Sequence, residues 1–263
     1  MEKKAIQLGN LTVSRLMAGG NPLSGFSHQS KDRDEEMLNY YTCEKIKEFF
    51  FECERNGIDA ICARSDAFIM RVFREYWGEG GKARWIAQTA TEYRDSYFAI
   101  SAAVSAGAAA VYIHGGETDK ICKSGQAESL HDIIAYGKKL GVPMGIAAHD
   151  PRTHLMIREM GVDNDFHVIC MYNLGGYKSN TRPDTDAEFN DRDRALALDA
   201  ARRIPLPCVL YKILGAGRKT MAEALVDVQP ALKPTDGVLV GMFIKDDPNM
   251  VRSNAEAIFG LPQ

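Results

Sequence analysis

The chain has 263 residues, a formal net charge of −3, 45% apolar residues and 25% charged residues. These proportions fit a globular protein long enough to bury a large core, and they exclude a disordered or low-complexity chain. No run of lysine and arginine offers a footprint for nucleic acid. No apolar stretch reaches the length of a membrane span or of a signal-peptide core, so the expectation is a cytoplasmic protein with a small-molecule substrate and no membrane partner; self-association into a homo-oligomer is compatible with this composition.

In chain order, AIQLGNLTVS reads as a small hairpin turning at Gly9-Asn10. An apolar run over 15–22 follows, then a segment without clear periodicity and a helix over 43–57 that stops at Asn56-Gly57. From there apolar runs alternate with amphipathic stretches. The runs cover 58–65, 83–90, 108–116, 143–150, 165–173, 207–217 and 237–245. The helices cover about 66–77, then 95–107, 128–141, 153–161, 191–204, 220–233 and 249–260. The runs are nearly continuous in apolar residues, as strands covered on both faces are. Eight strand–helix units in one chain predict an α/β fold, a (β/α)8 TIM barrel with a short N-terminal hairpin, as a single domain over 1–263. The irregular segments 23–42, 116–127 and 174–190 all follow strands, so they fall on the face where such barrels build their sites.

The strand ends carry the chemistry. Asn21 follows the first strand and Arg64 ends the second; Gln88 ends the third and His114 the fourth, with Glu117 and Asp119 beyond it. His149 and Asp150 end the fifth, with His154 beyond, and Tyr172 and Asn173 end the sixth. The seventh carries Tyr211 and Lys212. Four of the six histidines, His28, His114, His149 and His154, are expected on this face. His114 and His149 sit at equivalent places on adjacent strands, flanked by Glu117 and Asp150, a grouping suited to general acid–base work. The same group can bind a divalent metal, but its spacing matches no closed ligand motif. Lys212, inside the apolar run VLYKILG, must find a partner, reach the mouth or change its protonation, and a desolvated lysine can act as a base or an imine-forming nucleophile. Strand parity leaves open whether Tyr211 or Lys212 faces inward. Gly215, Gly217 and Arg218 in GAGRK, with Gly241, offer amides and a cation where barrels often hold phosphate. Arg64 is expected to hold an anionic group, and Asn21, Gln88, Tyr172, Asn173 and Tyr211 to line the substrate. The six cysteines form no CxxC pair and read as reduced thiols.

Several of these stretches resemble the aldo-keto reductases. LGNLTVSRLMAGGNPLS resembles their opening hairpin and first strand, VYIHG the strand that ends in their active-site histidine, MYN the end of their sixth strand, YKILGAGR their seventh, and PNMVRSNAEAI their closing segment. The resemblance implies the barrel, makes His114 the active-site histidine, gives Tyr211 the place of the tyrosine that stacks on nicotinamide, and gives Asn254 the place of the asparagine at the cofactor's adenine end. The departures fall on chemistry. Cys62 stands where the family has its aspartate, no tyrosine follows Arg64 in the family's pattern, and WIAQTA lacks the catalytic lysine. Ala147, Ala148 and Ile169 stand where side chains hold the nicotinamide amide. The expectation is therefore an enzyme that has lost reductase chemistry and moves protons on a small sugar-like or hydroxy-carbonyl compound, as a lyase, aldolase, isomerase or hydrolase. A divergent NAD(P)H-dependent oxidoreductase and a non-catalytic ligand-binding barrel are the alternatives.

Overall fold

The apolar runs form one closed parallel barrel in the computed structural model, which describes residues 4–172 and 189–261. A two-stranded antiparallel sheet precedes it: β1 (Ala5–Leu8) and β2 (Leu11–Ser14), joined by a two-residue turn with Gly9 in the left-handed region at φ 57°. The barrel strands are β3 (Leu16–Gly19), β4 (Ala60–Arg64), β5 (Arg84–Gln88), β6 (Ala110–Ile113), β7 (Met144–Ala148), β8 (Phe166–Cys170), β9 (Cys208–Tyr211) and β10 (Gly237–Gly241). Each pairs with its sequence neighbours, and β10 pairs with β3 to close the ring.

The two-residue period of the strands splits the core in two. Met17, Ala60, Cys62, Ile86, Ala110, Tyr112, Phe166, Val168, Val209 and Leu239 pack together inside the barrel. Their strand neighbours, such as Leu16, Ile61, Trp85, Val111, Ile146 and Leu210, pack outward against the helices. The hairpin belongs to the inner cluster: Ile6, Leu8 and Val13 are buried and stop the barrel's lower end. Gly145 keeps that interior filled, because a Cβ there would come within 2.3 Å of the Phe166 ring.

The outer layer holds α1 (Lys31–Tyr40), α2 (Cys43–Arg55), α3 (Ala67–Gly78), α4 (Ser96–Ser105), α5 (Gly115–Lys123), α6 (Ser129–Lys139), α7 (Pro151–Glu159), α8 (Asp191–Arg203), α9 (Met221–Val228) and α10 (Met250–Phe259). Asp66, Asp95, Asp150 and Asn190 accept backbone N–H groups at the starts of α3, α4, α7 and α8. Two elements depart from the sequence reading. The segments 23–42 and 116–127, expected to be irregular, contain α1 and α5. α5 opens on two glycines and buries only Gly115, Thr118 and Asp119, so it shows none of the apolar periodicity that reveals a helix. Among the described residues, no helix is long and apolar enough to cross a membrane.

The hairpin plug can be tested directly. Leu8 is fully buried in it, so Leu8→Ala should lower the unfolding free energy by about 2–5 kcal/mol in urea titrations. Thr12→Ala, an exposed change on the same hairpin, should stay within about 0.5 kcal/mol of the parent.

Candidate active site

The C-terminal ends of the strands surround one cavity of about 480 Å3. Cys62, Arg64, Gln88, Tyr112, His114, His149, Tyr211 and Lys212 lie on its wall, with Asn21 and His28 from the loop after β3.

His114 is the residue at which β6 becomes α5. Its backbone N–H donates to Thr89 Oγ1 at 2.9 Å, which fixes the strand end. Its Nδ1 accepts the N–H of Gly116 at 3.0 Å, so the ring caps its own helix. An accepting Nδ1 sets the tautomer: the neutral ring carries its proton on Nε2.

His149 has the opposite arrangement. Its Nδ1 lies 2.8 Å from Asp119 Oδ2, and its backbone N–H points to the same carboxylate oxygen at 3.3 Å. A carboxylate only accepts, so Nδ1 carries the proton and Nε2 keeps a lone pair. Asp119 is only 6% exposed, and it reaches His149 from the second turn of α5. The close approach depends on Gly115, where a Cβ would sit 3.1 Å from His149 Cε1. The two imidazole centroids are 6.4 Å apart, with the rings inclined at 69°. One cavity therefore presents a ring whose Nε2 is a donor and a ring whose Nε2 is an acceptor.

β9 supplies Tyr211 and Lys212 together. Tyr211 packs with the inner cluster, so alternation would send Lys212 outward among the helices. Lys212 instead takes φ 60°, a left-handed conformation that costs a residue with a Cβ on the order of 1 kcal/mol. Both side chains then line the cavity, and Lys212 Nζ is buried, 6.0 Å from the centre of the Tyr211 ring. Burial pushes the phenols of Tyr112 and Tyr211 and the thiol of Cys62 well above their ordinary values, so all three remain protonated at neutral pH.

The mouth is cationic but neutralised. Arg64 pairs with Asp66 at 2.9 Å and with Glu92, and Arg33 pairs with Glu36 and Asp246. The loop after β3 is tied to the loop after β9. Gln29 Nε2 donates to the Ala216 carbonyl at 2.8 Å, and Arg218 Nη1 to the His28 carbonyl at 3.3 Å.

Several expected site residues lie elsewhere. Glu117 faces away from the cavity, where it accepts from Ser96 Oγ at 2.5 Å and Thr89 Oγ1 at 3.4 Å. It is two residues from Asp119, and positions two apart point to opposite sides of a helix. Asp150 caps α7 and holds the Arg152 side chain instead of His149. Tyr172 turns into the outer layer, where its hydroxyl accepts from Arg194 Nη1 at 3.1 Å. In the expected phosphate loop, the N–H of Gly215 donates to the Lys212 carbonyl at 2.8 Å and that of Gly217 to the Leu214 carbonyl at 3.1 Å, so both amides are consumed by the turn. Arg218 stacks on Phe189 at 4.0 Å and stays off the cavity wall; Gly217 and Gly241 do line it. Asn254, buried on α10, lies off the wall as well. Asn173 lies outside the described residues. Among the described residues, no three His, Cys, Asp or Glu side chains converge as a set of metal ligands.

Asp119, expected among loop carboxylates, is instead a helical residue. Reading 115–123 as a helix would find it, because Gly115, Thr118 and Asp119 share one face at i, i+3 and i+4.

No family model matches the sequence, and no curated protein matches it. Solved structures match the fold. A protein of Pseudomonas aeruginosa assigned as an aldo-keto reductase has a TM-score of 0.63 at 13% identity, over 98% of this chain and 94% of its own. An archaeal fructose-1,6-bisphosphate aldolase, with its catalytic lysine bound covalently to the carbinolamine intermediate of its substrate, has a TM-score of 0.53 at 15% identity, over 93% and 94%. A truncated 3-deoxy-D-arabino-heptulosonate 7-phosphate synthase from Thermotoga maritima has 0.54 at 12%, over 98% and 90%. These neighbours are barrel enzymes, and identities of this size carry the fold alone.

The fourth histidine expected at the mouth is behind the wall. His154 on α7 and His167 on β8 are fully buried, with their Nδ1 atoms 3.0 Å apart. Burial holds His154 down to about 4 and His167 well below the ordinary value. The unfolded chain, with histidines near 6.5, then binds more protons than the folded one as the pH falls. Stability contributed by this pair is present above about pH 6.5 and drains away toward pH 4. Urea midpoints measured across that window should fall steeply for the parent and less steeply for a His154→Phe/His167→Leu double variant; parallel slopes would remove the pair from the account.

Proposed function

We propose that this chain is an acid–base enzyme that moves a proton next to the carbonyl of a small hydroxy-carbonyl compound, the first step shared by aldolases, isomerases and many lyases. The observation that supports this reading is the pair of complementary tautomers on one cavity wall. His149 is the base: its Nε2 lone pair takes the proton. Asp119 holds the ring in that tautomer and stabilises the imidazolium that forms, at a site where burial strengthens the interaction. His114 is the acid or electrophile: its Nε2–H donates to the carbonyl oxygen as negative charge develops there. Rings 6.4 Å apart on one cavity wall are near enough for both to reach a single small substrate held in the cavity.

The same geometry supports a reductase less well. Cys62, at the place the resemblance gives to an aspartate, shares the cavity wall with His114, and a thiol cannot replace a carboxylate there; β5 brings no lysine to the wall. A phenol whose ionisation is pushed up by burial is also a poor proton donor to a nascent alkoxide, and this describes Tyr112 and Tyr211.

Solvent-hydrogen exchange tests the proposal on a class of compounds, so no single substrate has to be named. Incubated in deuterium oxide with a panel of small hydroxy-ketones and hydroxy-aldehydes, the parent should exchange the proton next to the carbonyl of at least one member, read by NMR. His149→Gln should lower that rate by about 10²–10⁴-fold, and Asp119→Asn should lower it by less while the fold is kept. Equal exchange by parent and His149→Gln would sink the assignment of the base.

A further inference from the structure

We infer that Lys212 is a covalent catalytic residue that forms an imine with the carbonyl group of a ketone substrate. The inference rests on the acid–base reading for its proton transfers and adds to it a bond between protein and substrate.

The backbone carries the argument. Val209 and Tyr211 are the inward residues of β9, and Cys208 and Leu210 pack outward. The position after Tyr211 should therefore point to the helix layer. At Lys212 the chain adopts φ 60°, one of three non-glycine residues in the left-handed region among those described. That twist places a lysine on the cavity wall beside a strand residue that already faces it. A turn alone does not require this residue type, since the chain takes the left-handed region at Gly215, Ala216 and Gly217 with residues that carry no long side chain. A strained residue carrying a primary amine with its Nζ buried, lining the same cavity as the proposed acid and base, is the constellation that imine chemistry needs.

The step balances with groups in hand. The neutral Nζ attacks the carbonyl carbon, the N–C bond forms, and the C=O π pair moves to oxygen. One Nζ proton reaches that oxygen through the His114 ring, giving the carbinolamine. Its hydroxyl takes one further proton from solvent through the same ring and leaves as water, and the nitrogen lone pair forms the C=N bond of a protonated imine. His149 Nε2 then takes the proton from the neighbouring carbon, and the electron pair moves through the new C=C bond to nitrogen. The imine acidifies that carbon far more than the parent carbonyl would. Return of a solvent proton and hydrolysis by water regenerate the ketone and the amine. No metal, oxidant or reductant enters.

Reductive trapping tests this with dihydroxyacetone and hydroxyacetone as probes. Parent protein treated with either ketone and sodium borohydride should gain one covalent adduct, found on the peptide containing Lys212. Lys212→Gly relieves the backbone strain, so it should melt no lower than the parent while the adduct disappears; Lys212→Arg keeps a cation and should also show no adduct. His149→Gln should still trap but should exchange the neighbouring proton at least about a hundredfold more slowly. Labelling at other lysines with Lys212 untouched, or full exchange activity in Lys212→Gly, would overturn the imine and leave the acid–base reading standing. Trapping at Lys212 with exchange unchanged in His149→Gln would do the reverse.

Discussion

A strand in a closed barrel can turn only every second side chain inward, and the small set of inward residues near its C-terminal end is what the barrel can use for chemistry. Here that parity places Cys62 and Arg64 on β4, Gln88 on β5, Tyr112 and His114 on β6, and His149 on β7 around one cavity. Short strands of four or five residues give each barrel position few inward side chains near the mouth. The chain extends this set in two ways. At β6 the strand runs directly into α5, so a helix face contributes Asp119 to a partner on the next strand. At β9 a left-handed residue breaks the alternation, so two successive side chains reach the cavity.

Burial then decides what each group can do. A carboxylate that is 6% exposed requires donors, and Asp119 has the His149 ring and the His149 backbone N–H. The same desolvation that makes this pairing obligatory also silences other groups, since the Cys62 thiol and the Tyr112 and Tyr211 phenols are pushed away from ionisation. The cavity thus holds several polar groups whose ionisation burial opposes, beside the imidazoles of His28, His114 and His149. Their opposed tautomers come from different local causes. One ring caps a helix and accepts from a backbone N–H; the other donates to a side chain of that same helix. α5 therefore sets both protonation patterns at once.

The fold is legible in the sequence because barrel strands buried on both faces leave a periodic record of apolar runs, and glycine marks the end of several helices. The eight strands, the hairpin turn and most of the helices are visible in that way. The residues at strand ends are legible for the same reason, and His114, His149, Asn21, Arg64, Gln88, Tyr211 and Lys212 reach one cavity. What sequence does not show is contact across elements. The partner of His149 is 30 positions away on a helix that begins with two glycines, so the charged neighbours Glu117 and Asp150 look equally suitable. Asp150 serves the helix that follows it, the ordinary duty of an aspartate before a proline-initiated helix. His154 departs from its expected place because a residue shortly after a strand end can lie in the first turns of the next helix and face the wall from behind. At the glycine-rich turn, two of the amides expected for phosphate are spent within the turn itself, a pairing that spacing alone does not show.

The relation to reductase barrels can be stated as geometry instead of ancestry. The closed ring of eight parallel strands is shared with that architecture, and Cys62 and Gln88 share a wall with His114, the residue to which the resemblance gives the active-site place. A hydride-transfer site of the usual kind has its proton donor made acidic by a neighbouring charge, and Cys62 is a thiol held protonated by burial. Proton abstraction next to a carbonyl has the opposite need: an acceptor lone pair held toward the substrate and a donor ready for the oxygen. In the proposed reading the Asp119–His149 pair and the capped His114, with ring centroids 6.4 Å apart, take those two parts. On the proposed reading, the helix start at His114 and the end of β7 carry the chemistry, and neither depends on the residues at Cys62 or at the end of β5.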